Sequence, residues 1–162
     1  MGKHIAIAGF MGVGKTTVGR QLAMSLSLPF LDLDAEIERR SGRSCSQWFV
    51  DPGEDAFRVA ETEVLESVLS GSQVVLALGG GTLHHGDNLS FAHAHAHVVW
   101  LDLPLAEIRT RLGEQDEHRP LWKDASSLYE ARRPGFERIN MRIDCSERTT
   151  AELVSDIMES MP

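Results

Sequence analysis

Two patterns of apolar spacing take turns along this chain. Short apolar runs, the mark of strands buried on both faces, occur at residues 5–8 (Ile5-Ala6-Ile7-Ala8), 30–33, 74–78 and 98–103, with a shorter mixed one at 142–144. Between them, apolar residues recur every three or four positions. Val18, Leu22 and Leu26 predict a helix over 15–27. A second helix is expected over 34–40, with Asp34 near its N-cap and Gly42 near its end, and a brief one runs from Ser44 or Ser46 to Phe49. The stretch DPGE opens a longer helix, with Pro52 in its first turn and Phe57, Ala60, Val64, Leu65, Val68 and Leu69 on one side. Helices follow over 87–94, 104–112, 125–139 and 149–161, and Pro134 is expected to kink or restart the third of these. Residues 113–124 are polar, charged and aperiodic, which reads as a mobile loop.

Regular alternation of strand and helix implies an α/β chain with a parallel sheet covered by helices on both faces. Ligands in such folds sit beyond the carboxyl ends of the strands. Three chemically loaded stretches fall there: GFMGVGKTT at 9–17, Asp32-Leu33-Asp34, and Gly79-Gly80-Gly81. They are expected to converge on one cleft.

Composition narrows the classes. A chain of 162 residues with 42% hydrophobic and 25% charged residues suits one globular domain. Its net charge of −8 argues against a general nucleic-acid-binding or acidic-membrane surface, so any anion site must be built locally. No apolar run approaches the ~20 residues that span a bilayer, and residues 1–10 pass straight into the first strand, so no signal peptide is expected. Cys45 and Cys145 have no metal-ligand spacing and form no disulfide framework, which fits a reducing cytoplasm.

The stretch at 9–17 fits G-x-x-x-x-G-K-[ST] through Gly9, Gly14, Lys15 and Thr16, between a strand and a helix. A glycine-rich turn in that context aims backbone N–H groups at phosphate oxygens, and the helix terminus adds partial positive charge. Lys15 can reach the β- and γ-phosphates and the Thr16 hydroxyl can ligate Mg²⁺. In extended geometry Asp32 and Asp34 point the same way, suiting one to hydrated Mg²⁺ and the other to a hydroxyl of a second substrate. Each glycine in regular structure costs about 0.5–1 kcal/mol relative to alanine, so three in a row suggest close approach of backbone to a ligand. Arg58, Arg119, Arg132, Arg133, Arg138 and Arg148 are candidate anion contacts. Arg119, in the mobile loop, is placed to meet developing phosphoryl charge, and either Arg132 or Arg133 to grip a carboxylate bidentately. His93, His95 and His97 would share a face if extended, but they lie at the end of the sheet opposite the cleft and read as a solvated strand entry. His84 and His85 lie nearer the cleft without an assigned role.

Together these stretches resemble shikimate kinase over almost the whole chain. GFMGVGKTTVGRQLA resembles the family's phosphate loop and first helix, FLDLDAEIERRSG its D-x-D segment, and QWFVDPGEDAFRVAETEVL its F-x-x-x-G-E-x-x-F-R-x-x-E helix. LALGGGT, RPLW and RRPGF continue the match in order, with Phe136 where the family usually has tyrosine. The resemblance implies a three-layer P-loop kinase fold with a five-stranded parallel sheet in the order 2-3-1-4-5, a substrate-binding helical region over 33–61 and a lid over 113–124. It implies that Gly12, Val13, Gly14, Lys15, Thr16 and Thr17 bind ATP phosphates, with Thr16 and Asp32 on Mg²⁺. It places Asp34, Arg58, Gly79, Gly80, Gly81 and Arg132 around shikimate. Arg119 becomes the lid arginine on ATP, Arg111 and Arg148 adenine-side contacts, and Lys15, Asp34 and Arg119 the catalytic set. The implied reaction is MgATP-dependent phosphorylation of the shikimate 3-hydroxyl by a cytoplasmic monomer. A gluconate kinase shares the phosphate loop and size. A nucleotide-dependent switch is the alternative from another class, though no N-K-x-D guanine-reading motif is present.

Overall fold

A computed structural model describes residues 2–113 and 122–162. Its strands are β1 (His4–Ala8), β2 (Phe30–Asp32), β3 (Val75–Ala77), β4 (Ala96–Asp102) and β5 (Met141–Asp144). They form one five-stranded sheet in the order β2-β3-β1-β4-β5, with every pairing parallel. This is the expected order. All five residues of the central β1 are buried, which requires cover on both faces of the sheet. The helices are α1 (Lys15–Leu26), α2 (Leu33–Ser41), α3 (Cys45–Val50), α4 (Glu54–Leu69), α5 (Asn88–His95), α6 (Leu105–Leu112), α7 (Ala125–Phe136) and α8 (Thr150–Ser160). None among the described residues is long and apolar enough to cross a membrane. The core holds Ile5, Ile7, Leu22, Leu65, Leu76, Val99, Leu101 and Ile157, all at most 2% exposed.

The helix starts differ from expectation in instructive ways. Asp32, not Asp34, caps α2: its carboxylate accepts from Ala35 N–H at 3.1 Å, so Asp34 lies inside the first turn. Asp32 is extended while Asp34 is helical, and strand alternation therefore does not relate the two carboxylates. The helix expected to open around Pro52 begins at Glu54, because Gly53 takes φ 121°, a conformation that L side chains rarely adopt, and becomes its N-cap. Helix α7 runs through Pro134 and ends two residues later at Phe136, short of the expected Ile139. His93 and His95 are not extended; they form the last turn of α5, where His95 stacks on Phe91 at 4.1 Å and its Nδ1 meets the Phe91 carbonyl at 2.9 Å. The three imidazoles therefore share no strand face. The loop expected over 113–124 falls largely outside the described residues, apart from a 3₁₀ turn at Trp122–Asp124.

Helix α2 is fastened through Glu36. Its carboxylate accepts from Arg39 Nε at 2.9 Å, Arg39 Nη2 at 2.7 Å and Arg40 Nε at 2.7 Å, while Arg40 Nη1 donates to Ser67 on α4 at 3.0 Å. The hydrogen bonds from the two guanidiniums hold the Glu36 carboxyl at about 2, below the usual carboxylate range. A depressed folded-state pKa contributes stability above the unfolded value and loses it as pH falls through the folded one. Glu36→Gln is expected to lower stability by about 1 kcal/mol at pH 7, with the difference closing between pH 4.5 and 2. Urea denaturation at both ends of that range measures it.

Candidate active site

The chain leaves β1 through a loop whose glycines have separate reasons to be there. A Cβ at Gly12 would lie 2.3 Å from Leu112 Cδ1. Gly14 has open space around it but takes φ 104° as the N-cap of α1. Among the described residues no side chain caps that terminus, so the first amides of α1 face the cleft without an acceptor from a capping residue. Lys15 Nζ donates to the carbonyls of Gly9 at 2.8 Å and Phe10 at 3.0 Å. Thr16 Oγ1 donates to Asp32 Oδ2 at 3.0 Å. Gly12, Gly14, Lys15, Thr16 and Thr17 line a cleft of about 570 Å³ together with Asp32, Asp34, Gly79 and Gly80. The three loaded stretches do converge. Val13 does not line the cleft, because its side chain is buried under the loop and its N–H bonds the Phe10 carbonyl at 3.3 Å.

Beyond β3 the triple glycine makes room for charge. None of the three needs a positive φ; what they lack is side-chain volume. A Cβ on Gly79 would sit 2.9 Å from Thr82 Oγ1, 3.0 Å from Glu61 Oε1 and 3.1 Å from Asp34 Oδ1. On Gly80 it would meet Arg132 Nη1 at 3.1 Å, and on Gly81 it would meet Arg58 Nη2 at 2.6 Å and Arg132 Nη2 at 2.9 Å. Two arginines and two carboxylates thus gather against one stretch of backbone.

Each charge is held differently. Arg58, on α4, donates to Glu61 at 2.7 Å and Glu54 at 3.3 Å, and its guanidinium lies 5.3 Å from the Phe57 ring centre. Glu61 is only 1% exposed and also accepts from Thr82 Oγ1 at 2.6 Å. Asn88 completes the buried network, donating to the Thr82 carbonyl at 2.9 Å and accepting from Thr62 at 3.1 Å. Arg132 is buried next to Arg58, yet no carboxylate among the described residues hydrogen-bonds its guanidinium. Burial, and then the Arg58 charge, pull it down to about 10. Asp34 moves the other way: burial, then repulsion from Asp32 and Glu61, raise it to about 6 against the pull of Lys15 and Arg58.

Structure separates the paired arginines. Arg132 faces the glycines, whereas Arg133 reaches Asp102 at 3.4 Å and lies 5.4 Å from the Trp100 ring centre. Adjacent residues on a helix diverge by about 100°, so only one faces the cleft. Arg111 and Arg148 are absent from the lining of the cleft, both lie within electrostatic reach of Cys145, and Arg148 is paired with Asp156. Arg119 lies outside the described residues. Arg138 also stays out of the cleft, within electrostatic reach of His93. Sequence reading passed over Arg20, Glu38 and Glu61. The last was detectable, since it sits three residues after Arg58 on the same helix face.

Residues 11–162 match the family model for shikimate kinase. A shikimate kinase from Nostoc punctiforme is 39% identical over 99% of this chain and 92% of its own length. A shikimate kinase from Acinetobacter baumannii, solved in complex with shikimate, superposes with a TM-score of 0.90 at 34% identity, covering 97% of this chain and 91% of that one. A gluconokinase from Sinorhizobium meliloti reaches a TM-score of 0.65 at 19% identity over 97% of this chain and 90% of that one, a likeness of fold alone. A phosphate loop and an acidic pair line one cleft, two buried arginines stand against its glycines, and by these matches the chain belongs to the shikimate kinase family.

Proposed function

We propose that this protein transfers the γ-phosphoryl group of ATP to the 3-hydroxyl of shikimate, giving shikimate 3-phosphate and ADP. The observation that carries the reading is Arg132: a buried guanidinium beside a second arginine, with no hydrogen-bonded carboxylate among the described residues, is an acceptor site for an anion. In this reading Arg58 and Arg132 grip the shikimate carboxylate while the Gly79–81 backbone lets the ring lie close. Asp34, against the same run of glycines at Gly79, receives the hydroxyl.

The donor end follows from the loop. Amides at the start of α1 cradle the phosphates, and Lys15 turns from its backbone carbonyls to the β- and γ-oxygens. The Thr16 hydroxyl and the Asp32 carboxylate are hard oxygen donors 3.0 Å apart, which fits Mg²⁺ bound through few protein groups plus phosphate and water. Such an ion would supply charge neutralisation on the phosphates. Asp34 takes the proton from the 3-hydroxyl as its oxygen forms the new P–O bond, and the γ-phosphorus parts from the bridging oxygen of ADP. A carboxyl raised to about 6 is matched to that transfer near neutral pH. Arg119 completes the set from a lid over 113–124, and Arg111 and Arg148 border the adenine. One chain supplies every group named, consistent with a cytoplasmic monomer of one domain whose residues 33–61 form the substrate-binding region.

Three outcomes test this. ADP release from MgATP is expected to rise at least about a hundredfold over basal hydrolysis when shikimate is added, in a coupled assay. Stimulation by gluconate instead would overturn the assignment. Arg58→Lys retains charge against Glu61 but loses the fork, so KM for shikimate should rise about tenfold while KM for ATP stays within about twofold.

Asp34→Asn is expected to cut kcat by about 10²-fold or more with ATP affinity retained. It should also raise Tm of the ligand-free protein. The folded pKa of Asp34 lies above its unfolded value, so its contribution favours folding below 3.8 and is lost as pH rises through about 6. The gain therefore reaches a few degrees at pH 8 and vanishes below pH 4 in calorimetric scans. Near-normal turnover in this variant would remove Asp34 from the mechanism.

A further inference from the structure

We propose that His84 is a positioning residue for Arg132, acting through the backbone of α7 and not through substrate; the proposal rests on the reading that Arg132 binds the shikimate carboxylate. His84 Nε2 lies 2.7 Å from the Arg132 carbonyl, so the ring donates from that nitrogen. Its edge meets the Phe136 ring at 4.8 Å between centres. The ring also occupies the notch over Gly135, where a Cβ would come within 2.5 Å of Nε2 and 2.6 Å of Cδ2. One imidazole thus touches residues 132, 135 and 136, the last turn of α7.

Arg132 needs such a restraint. Arg58 is fixed by Glu54 and Glu61, whereas among the described residues Arg132 has the Phe10 ring, 5.9 Å away, and the glycine backbone against its guanidinium. The neighbouring Arg58 charge repels it, against the attraction of Glu54 and Glu61. Pro134, lacking an N–H, leaves the Glu130 carbonyl without its helical donor and so loosens that same turn. His84 closes the 3₁₀ turn Thr82–His84, which starts from Gly81 and carries the Thr82 hydroxyl bound to Glu61. The turn therefore ties the α4 network that holds Arg58 to the helix that presents Arg132. Of the contacts named above, His84 meets the core through the Phe136 ring alone and is otherwise exposed, so its removal leaves the sheet core intact. A purely structural role predicts a lower Tm with KM for shikimate unchanged.

The test uses the full chain. His84→Ala should raise KM for shikimate about fivefold, leave KM for ATP and kcat within about twofold, and shift Tm by no more than a degree or two. Gly135→Ala, which displaces the ring while keeping it, should reproduce that pattern. His84→Gln, which restores a donor of similar reach, should recover most of the loss, and His85→Ala in the same turn should change nothing. In an Arg132→Lys background, His84→Ala should cost little more, since both act on one contact. An unchanged KM in His84→Ala where Arg132→Lys itself raises KM, or an undiminished penalty in the Arg132→Lys background, overturns the proposal. The ligand-free readout separates it from the underlying assignment. The Arg132 Nε–Hε NMR signal should broaden or shift in His84→Ala and not in His85→Ala, and an unmoved signal refutes the positioning role. If that signal moves while Arg132→Lys leaves shikimate affinity intact, the positioning stands and the carboxylate assignment to Arg132 is what fails.

Discussion

Charge crowded against bare backbone is the constraint on which the acceptor half of this molecule depends. Arg58, Arg132, Asp34 and Glu61 all come within contact distance of where a Cβ on Gly79, Gly80 or Gly81 would be. Any side chain there would push them apart. Burying four ionisable groups is tolerable only because their fields nearly compensate and their hydrogen bonds are supplied, by Thr82 to Glu61 and by Glu54 and Glu61 to Arg58. The compensation is incomplete at Arg132 and Asp34, the two groups whose pKa values move furthest toward neutrality on this wall of the cleft. Unspent electrostatic capacity sits where a ligand bearing a carboxylate and hydroxyls would use it.

The donor half works by a different economy of contacts. Here the backbone itself is the ligand, and the glycines allow a loop that no substituted chain could trace: Gly12 because Leu112 closes over it, Gly14 because its φ is positive. Asp32 joins the two halves. It caps α2 through one oxygen and receives the Thr16 hydroxyl on the other, so the helix that carries Asp34 is anchored to the residue pair proposed to hold the metal. Acceptor and donor are thereby held at a set separation by one carboxylate at the end of β2.

How the site could be read in advance differs residue by residue. The phosphate loop was legible because its chemistry is local: a strand, a glycine turn and a helix start lie within one short stretch. Asp32 and Asp34 were correctly placed at the cleft but for the wrong geometric reason, since strand alternation was assumed across a boundary where the chain had already turned helical. Glu61 went unassigned because a buried carboxylate on an amphipathic helix looks, in sequence, like any other polar position. His84 stood near the cleft in sequence but carried no role; its meaning depends on a notch at Gly135, some fifty residues away along the chain.

By itself the sequence determined the alternation of strand and helix, the strand order through its likeness to a family, and the residues that would meet at the strand ends. These follow from periodicity and from short motifs, whose physics is contained within a few neighbouring residues. Only the tertiary structure decided that Arg132 and not Arg133 turns to the glycines, because that choice rests on the rotation of α7 against the sheet and on Asp102 and Trp100 capturing the neighbour. It likewise decided why three glycines are needed: the space they leave is filled by side chains from α2, α4 and α7.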